Sequence, residues 1–306
     1  MTEIGEIYRD LRLGKHVTLK DASNGIVSLA FLSRFERGLY DISFNHLLEL
    51  LDRINVQLSE FEYMYNQKNE MTTDLLPTFQ RAFQSGDTIT LKNHLLIWQR
   101  QSGDFAQLQV IQLKMMLTIL GQPLVSKQEI NTLEAHFNTI TNWTFFELYL
   151  YGHSLQFFDK KMAVNLFKEL FKKGIFYNNF RSDSFSMLFY IHNNLILYLI
   201  DQHDLANAHI ILKSLTHYFQ HNERDYYHTA RLFNLQGLVT YLSGDHLVGL
   251  KLLRRANVIT YLCNHQSGFI ENEQRYLAQF LTTDELASIF DFSNLTILKC
   301  LITNFQ

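Results

Sequence analysis

Ser28-Leu29-Ala30-Phe31-Leu32-Ser33-Arg34-Phe35-Glu36-Arg37-Gly38 decides the architecture of the amino-terminal region. Ser28 is a good N-cap, and Gly38 is the residue type that ends a helix in the left-handed conformation. Between them Leu29, Leu32 and Phe35 or Glu36 share one face, while Ser33, Arg34 and Arg37 point elsewhere. Immediately upstream, Asn24-Gly25 is a turn dipeptide, and Thr18 caps a short segment through Ser23 with Asp21 near its positive end. A short capped helix, a tight turn and a second capped helix carrying exposed arginines form a helix-turn-helix, whose second helix enters the major groove of DNA.

Working outward, Ile4, Ile7, Tyr8 and Leu11 recur at helical spacing, which predicts a helix from about Ile4 to Leu13 with Arg9 and Arg12 on its polar side. Gly14 closes it. Downstream, a helix from Ser43 is expected to bury Phe44, Leu47, Leu48, Leu51 and Ile54. Ser59-Glu60-Phe61-Glu62 reads as the capping box of a fifth helix. Residues 1–66 are thus a five-helix DNA-binding domain, and residues 67–306 a separate body.

The strings Arg9-Asp10-Leu11-Arg12, Leu32-Ser33-Arg34-Phe35-Glu36-Arg37-Gly38, Ile42-Ser43-Phe44 and Val56-Gln57-Leu58-Ser59-Glu60-Phe61 together resemble the amino-terminal domain of Rgg-type (Rgg/GadR/MutR) regulators of Gram-positive bacteria. The Ser-Arg-Phe-Glu-Arg-Gly string is the specific part. The resemblance implies a cytoplasmic transcription factor controlled by a short imported signalling peptide. It covers the first 66 residues by motif and the rest by pattern.

The start of this recognition helix is apolar where polar base-reading side chains are usual. Phe31 and Ala30 could meet thymine methyl groups, or Phe31 could pack against its own domain. The chain holds 27 Lys plus Arg against 30 Asp plus Glu, a formal net charge of −3, so double-stranded DNA must be met by a local basic patch, doubled in a homodimer. Candidates are Arg9, Arg12, Lys15, Lys20, Arg34 and Arg37, with Thr18, Ser28, Ser33 and Phe31 beside them. Arg37 could alternatively pair with Glu36 or cap a neighbouring helix.

The body is all-α by expectation. Only Pro77 and Pro123 interrupt 306 residues, and Ser126-Lys127-Gln128-Glu129 and Thr282-Thr283-Asp284-Glu285 are capping boxes. Segments 193–213 and 234–254 align at one offset, pairing Asn193 with Asn234, Leu197 with Leu238, Asp204 with Asp245 and Lys213 with Arg254. Each reads helix, turn, helix, the turns being Gln202-His203-Asp204 and Ser243-Gly244-Asp245. A weaker copy runs from Phe146 through Asp159 to Leu170. Helix pairs repeating at this period form a solenoid, here a right-handed tetratricopeptide-like one.

An extended peptide fits the concave face of such a solenoid, and an asparagine amide can pair with its backbone. Asn193 and Asn234 occupy equivalent places. Tyr190 and Leu197, and Tyr227, Arg231, Leu238 and Tyr241, lie on the same faces; Arg231 could hold a peptide carboxylate. Asn194, Tyr149 and His153 are further candidates. Each of these residues has an alternative reading as a cap, an inter-helix hydrogen bond or core.

Although 47% of the residues are hydrophobic, no long apolar stretch spans a membrane, and no basic-then-apolar leader follows Met1. Two cysteines, Cys263 and Cys300, are too few for a disulfide framework and are expected buried in a cytoplasmic protein. Thirteen histidines invite a pH or metal reading, His217 and His221 being four apart, but no third ligand accompanies them. No catalytic motif stands out and no cofactor is expected. Two other readings remain beside peptide control: a helix-turn-helix regulator whose body binds a protein partner or only dimerises, and an interaction scaffold or metal-dependent enzyme with a degenerate head.

Overall fold

The computed structural model describes residues 3–68, 75–173, 182–220, 225–263 and 269–295. Among them every regular element is helical, and they belong to two compact units, residues 1–78 and 79–306.

The first unit contains α1 (Glu3–Gly14), α2 (Leu19–Ser23), α3 (Leu29–Glu36), α4 (Phe44–Arg53) and α5 (Leu58–Lys68). Side-chain oxygens of Thr18, Ser28 and Ser43 cap α2, α3 and α4 by accepting from the backbone N–H groups of Asp21, Phe31 and His46. At the end of α3, Gly38 adopts φ +69°, and the N–H groups of Gly38 and Leu39 donate to the carbonyls of Phe35 and Arg34. This is the paired closure that glycine permits at a helix end. The core gathers Ile7, Tyr8, Leu32, Phe35, Leu47, Leu50, Leu51, Ile54 and Phe61. Two local expectations are corrected. Phe44 is 59% exposed and Leu48 is also on the surface, because α4 turns Leu47, Leu50 and Leu51 inward instead. The carboxylate that closes the start of α5 is Glu60, which accepts from the N–H of Gln57, so that helix begins before Ser59. Gly5 lets α1 lie on the end of α3: a Cβ there would sit 1.9 Å from the carbonyl oxygen of Phe35.

The body runs α6 (Leu75–Gln84), α7 (Thr88–Trp98), α8 (Asp104–Ile119), α9 (Lys127–Thr139), α10 (Phe145–Ser154) and α11 (Lys160–Lys173). It continues through α12 (Ser182–Asp201), α13 (Leu205–Gln220), α14 (Tyr226–Leu242), α15 (His246–Cys263), α16 (Phe269–Leu277) and α17 (Thr283–Ile289). Among the described residues, five aspartates accept through their carboxylates from an N–H in the first turn of the α-helix that follows: Asp87, Asp159, Asp204, Asp225 and Asp245. The two tight turns seen as a sequence repeat have left-handed residues at His203 (φ +55°) and Gly244 (φ +103°). The pair α14–α15 crosses at two glycines; a Cβ on Gly237 would lie 2.8 Å from the backbone nitrogen of Leu253, and one on Gly249 2.7 Å from that of Tyr241. Capping boxes at Ser126 and Thr282 start α9 and α17. No described helix is long and apolar enough to cross a membrane. Cys263 is half-buried; Cys300 and His221 lie outside the described residues.

Candidate functional sites

Of the basic candidates in the head, Arg9, Lys15, Lys20, Arg34 and Arg37 are exposed, and so are Arg53 and Lys68. Arg34 donates to the hydroxyl of Tyr40 at 2.7 Å and its guanidinium carbon stands 5.3 Å from that ring's centre. Arg37 is the C-cap residue of α3, its Nε donating to the carbonyl of Ser33. Lys15 is tied to the carbonyl of Asn55 at 2.7 Å. Thr18 and Ser28 stand exposed at the helix starts, and Ser33 is half-buried. Leu29 is 50% exposed, whereas Phe31 is half-buried against the core with its ring 5.8 Å from that of Tyr40.

Arg12 is a correction. It is 4% exposed and faces inward, where its guanidinium binds both oxygens of Glu36 at 2.6 and 2.7 Å and the carbonyl of Val17 at 2.7 Å. A buried carboxylate attracts the long side chain that the helix pattern places on the polar side. Glu36 is therefore Arg12's partner and not Arg37's.

In the body, Asn193 of α12 and Arg231 of α14 join the two helices, and α16 reaches α14 through Glu273 and α12 through Tyr276. Arg231 Nε donates to Asn193 Oδ1 at 2.6 Å, and its Nη1 donates to Glu273 Oε2 at 2.7 Å. Asn234 Nδ2 donates to Glu273 Oε1 at 2.6 Å, and Asn193 Nδ2 to Asn194 Oδ1 at 2.9 Å. Glu273 carries no motif in the sequence; it lies 42 residues beyond Arg231, one residue past the repeat offset, and is brought in by the packing of α16 on α14. The cation of Arg231 is thus already matched by an internal carboxylate. Burial pushes the Tyr190 hydroxyl up to about 12, partly offset by its hydrogen bond with Asn194 and reinforced by the neighbouring Tyr227 and Tyr149.

Beside this network, α10 and α12 frame a cleft of about 340 Å³, lined by His153, Gln156, Tyr190, Asn194, Leu197 and Asp201 among others. Phe83 and Ile119 add apolar wall. Tyr198, also lining it, donates to the carbonyl of Phe158 at 2.7 Å. Gly152 leaves room for the Tyr190 ring, whose Cε1 is 3.0 Å from where a Cβ would be. His153 is 2% exposed, and its ring rests against Phe83 and Tyr190 at 5.3 and 5.9 Å. Its Nδ1 lies 2.7 Å from the carbonyl of Tyr149 and must be the donor there, which leaves Nε2 as an acceptor; that atom has no hydrogen-bond partner. Burial lowers its pKa to about 4, partly countered by that backbone bond, so the ring is neutral at pH 7.

Two expected ligand contacts are corrected. Leu238 is 1% exposed in the core, and Tyr241 is buried with its hydroxyl donating to Glu285 at 2.9 Å. Both face the packed side of α14, because α15 closes tightly over it at the glycine crossing. Tyr227 is exposed on the first turn of α14 and Tyr149 is half-buried. Among the described residues no three His, Cys, Asp or Glu side chains converge as metal ligands would.

The described helices thus make a capped helix-turn-helix unit and a body of tandem helical hairpins with a polar seam. The chain belongs to the Rgg family: the model of the C-terminal domain of HTH-type transcriptional regulator Rgg matches residues 92–283. Among solved structures it is similar to a protein from Listeria monocytogenes EGD-e described as a transcriptional regulator, at 20% identity and TM-score 0.80 over 91% of this chain and 97% of that one. It is also similar to the SHP pheromone receptor Rgg2 of Streptococcus dysgalactiae, at 19% identity and TM-score 0.77 over 91% and 100%. The PrgX/cCF10 complex matches at 14% identity and TM-score 0.72 over 91% and 100%. At these identities the likeness establishes the fold, an all-helical, tetratricopeptide-like body.

Proposed function

We propose that this chain is a cytoplasmic, homodimeric, DNA-binding regulator of transcription whose activity is set by a short signalling peptide lying against α10, α12 and α14. The observation that carries the reading is the convergence of Tyr190, Asn193, Asn194, Arg231 and Asn234 on one seam beside an apolar-walled cleft. Structural neighbours that are a pheromone receptor and a bacterial peptide pheromone/receptor complex support the same ligand class. The seam offers amides, hydroxyls and a neutral imidazole, which suit a peptide backbone better than a charged metabolite. Double-stranded DNA is read by α3 and its surroundings, with Arg9, Lys15, Lys20, Arg34 and Arg37 on phosphates or bases and Thr18, Ser28, Ser33 and Phe31 nearby. A peptide changes this only by favouring one of two arrangements, so it must bind them with different affinity.

The test has two arms. Binding to the gene's own upstream region should fall steeply with salt, and Arg34→Ala should weaken it and reduce the salt slope by about 1. Asn193→Ala combined with Asn234→Ala should remove the response to peptides from neighbouring short reading frames while DNA binding persists. No retardation of upstream DNA at low salt, or an unchanged peptide response in the double variant, would overturn the corresponding half of the reading.

A further inference from the structure

We propose that the α10–α12 cleft takes its peptide through hydrogen-bond donors, a free amino terminus at Asp201 and an N–H or O–H group at Nε2 of His153. The inference rests on the peptide reading above and adds the ligand's polarity and direction.

The cleft runs along α12 from Tyr190 to Asp201, eleven residues, or about 16 Å at the rise of an α-helix. That accommodates roughly five residues of extended peptide. Phe83, Ile119 and Leu197 supply apolar wall; Gln156 and Asn194 carry amides that both donate and accept, and two groups in the lining are acceptors alone. His153 is the first: its Nδ1 is committed to Tyr149, and its buried Nε2 is an acceptor with nothing bonded to it. An unsatisfied buried polar atom is costly, and a ligand's donor reaching it would remove that cost. Asp201 is the second. It is the last residue of α12, where the helix's own carbonyls add negative potential and an acid is misplaced for helix stability. Its Oδ1 accepts from the Tyr276 hydroxyl at 3.2 Å, which leaves the charge intact.

No lysine or arginine lines the cleft. The nearest candidate for a ligand carboxylate, Arg231, has its Nε on Asn193 and its Nη1 on Glu273. A carboxylate placed in the cleft would therefore meet Asp201 and a lone pair of neutral His153, with no cation to compensate. An ammonium meets a carboxylate at a helix C-terminus, where both charges attract it. Charge complementarity orients the peptide with its amino terminus toward the carboxyl end of α12.

The experiment immobilises the full chain and presents a pool of eight-residue peptides composed of Leu, Ile, Val, Phe and Gly. Each sequence is present with a free and with an acetylated amino terminus, and the captured peptides are read by mass spectrometry. The free-amine forms should be enriched about tenfold. Asp201→Asn should erase the preference, and Tyr276→Phe, which removes a competing donor, should increase it. Capture without preference, or enrichment of acetylated forms, overturns this inference and leaves the peptide reading standing. Failure of the intact chain to capture any pool member overturns both. Should Asp201→Asn fail to fold, an unchanged or lowered preference in Tyr276→Phe is by itself enough to overturn it.

Discussion

Arg12 and Glu36, 24 residues apart in the chain, form a two-pronged ion pair inside the head, with Nε–Oε1 at 2.6 Å and Nη2–Oε2 at 2.7 Å. The pair joins α1 to the last turn of α3 and so helps hold the recognition helix at its angle. Its hydrogen bonds raise the Arg12 pKa further, with desolvation acting against them. Removing one partner leaves a buried charge unpaired, so Arg12→Ala should cost about 3–5 kcal/mol in unfolding by urea. Replacing both together, as Arg12→Met with Glu36→Leu, should recover most of that loss. A single-variant cost below about 1 kcal/mol would refute the buried pair.

Gly249 should not accept a side chain. An alanine methyl would stand 2.6 Å from Tyr241 Cβ and 2.7 Å from its backbone nitrogen, so α14 and α15 would have to separate. Gly249→Ala should destabilise the body by at least the 1–3 kcal/mol typical of overpacking, seen as a lower melting temperature. Gly121→Ala is the contrasting control. It meets no neighbour, and its cost would come from its φ of +89° alone.

His153 and His192 both titrate at about 4 in the fold, with burial as the main cause and a backbone hydrogen bond opposing it. Their unfolded value is near 6.5, so as pH falls below that value the unfolded chain takes up protons that the folded chain refuses. The contribution of these two rings should therefore lower stability from about pH 6.5 downward and level off below about pH 4. At pH 5 each histidine accounts for about 2 kcal/mol. His192→Gln should flatten the curve between pH 7.5 and 5 in denaturant titrations. An equally steep curve in the variant would contradict the assignment.

Much of the architecture was legible in local pattern. The caps at Thr18, Ser28 and Ser43, the closure at Gly38 and the turns before Asp204 and Asp245 each depend on residues within one helical turn. The seam was legible only in part. The repeat spacing picked out Asn193 and Asn234, and helical-face spacing picked out Arg231, but Leu238 and Tyr241 share that helical spacing and point into the packed side. The polar residues of α14, among them His228, Arg231, Asn234, Gln236 and Thr240, are spread around the helix, so the sequence marks no one side as covered. Gly152, Gln156 and Asp201 carried no motif at all; only the neighbouring helix makes them walls of a cleft.

Hydrophobic spacing, capping residues and glycines act over a few residues, so they alone dictate that this chain forms a short-helix head and a body of helix pairs. Which charges survive at the surface is another matter. Arg12 satisfied the same periodicity as Arg9, yet it is buried because Glu36 folds onto it. Arg231 is likewise neutralised by Glu273 from a helix 42 residues further on. Such pairings depend on how helices distant in sequence pack, and desolvation then makes each pairing obligatory, a balance that no local pattern records.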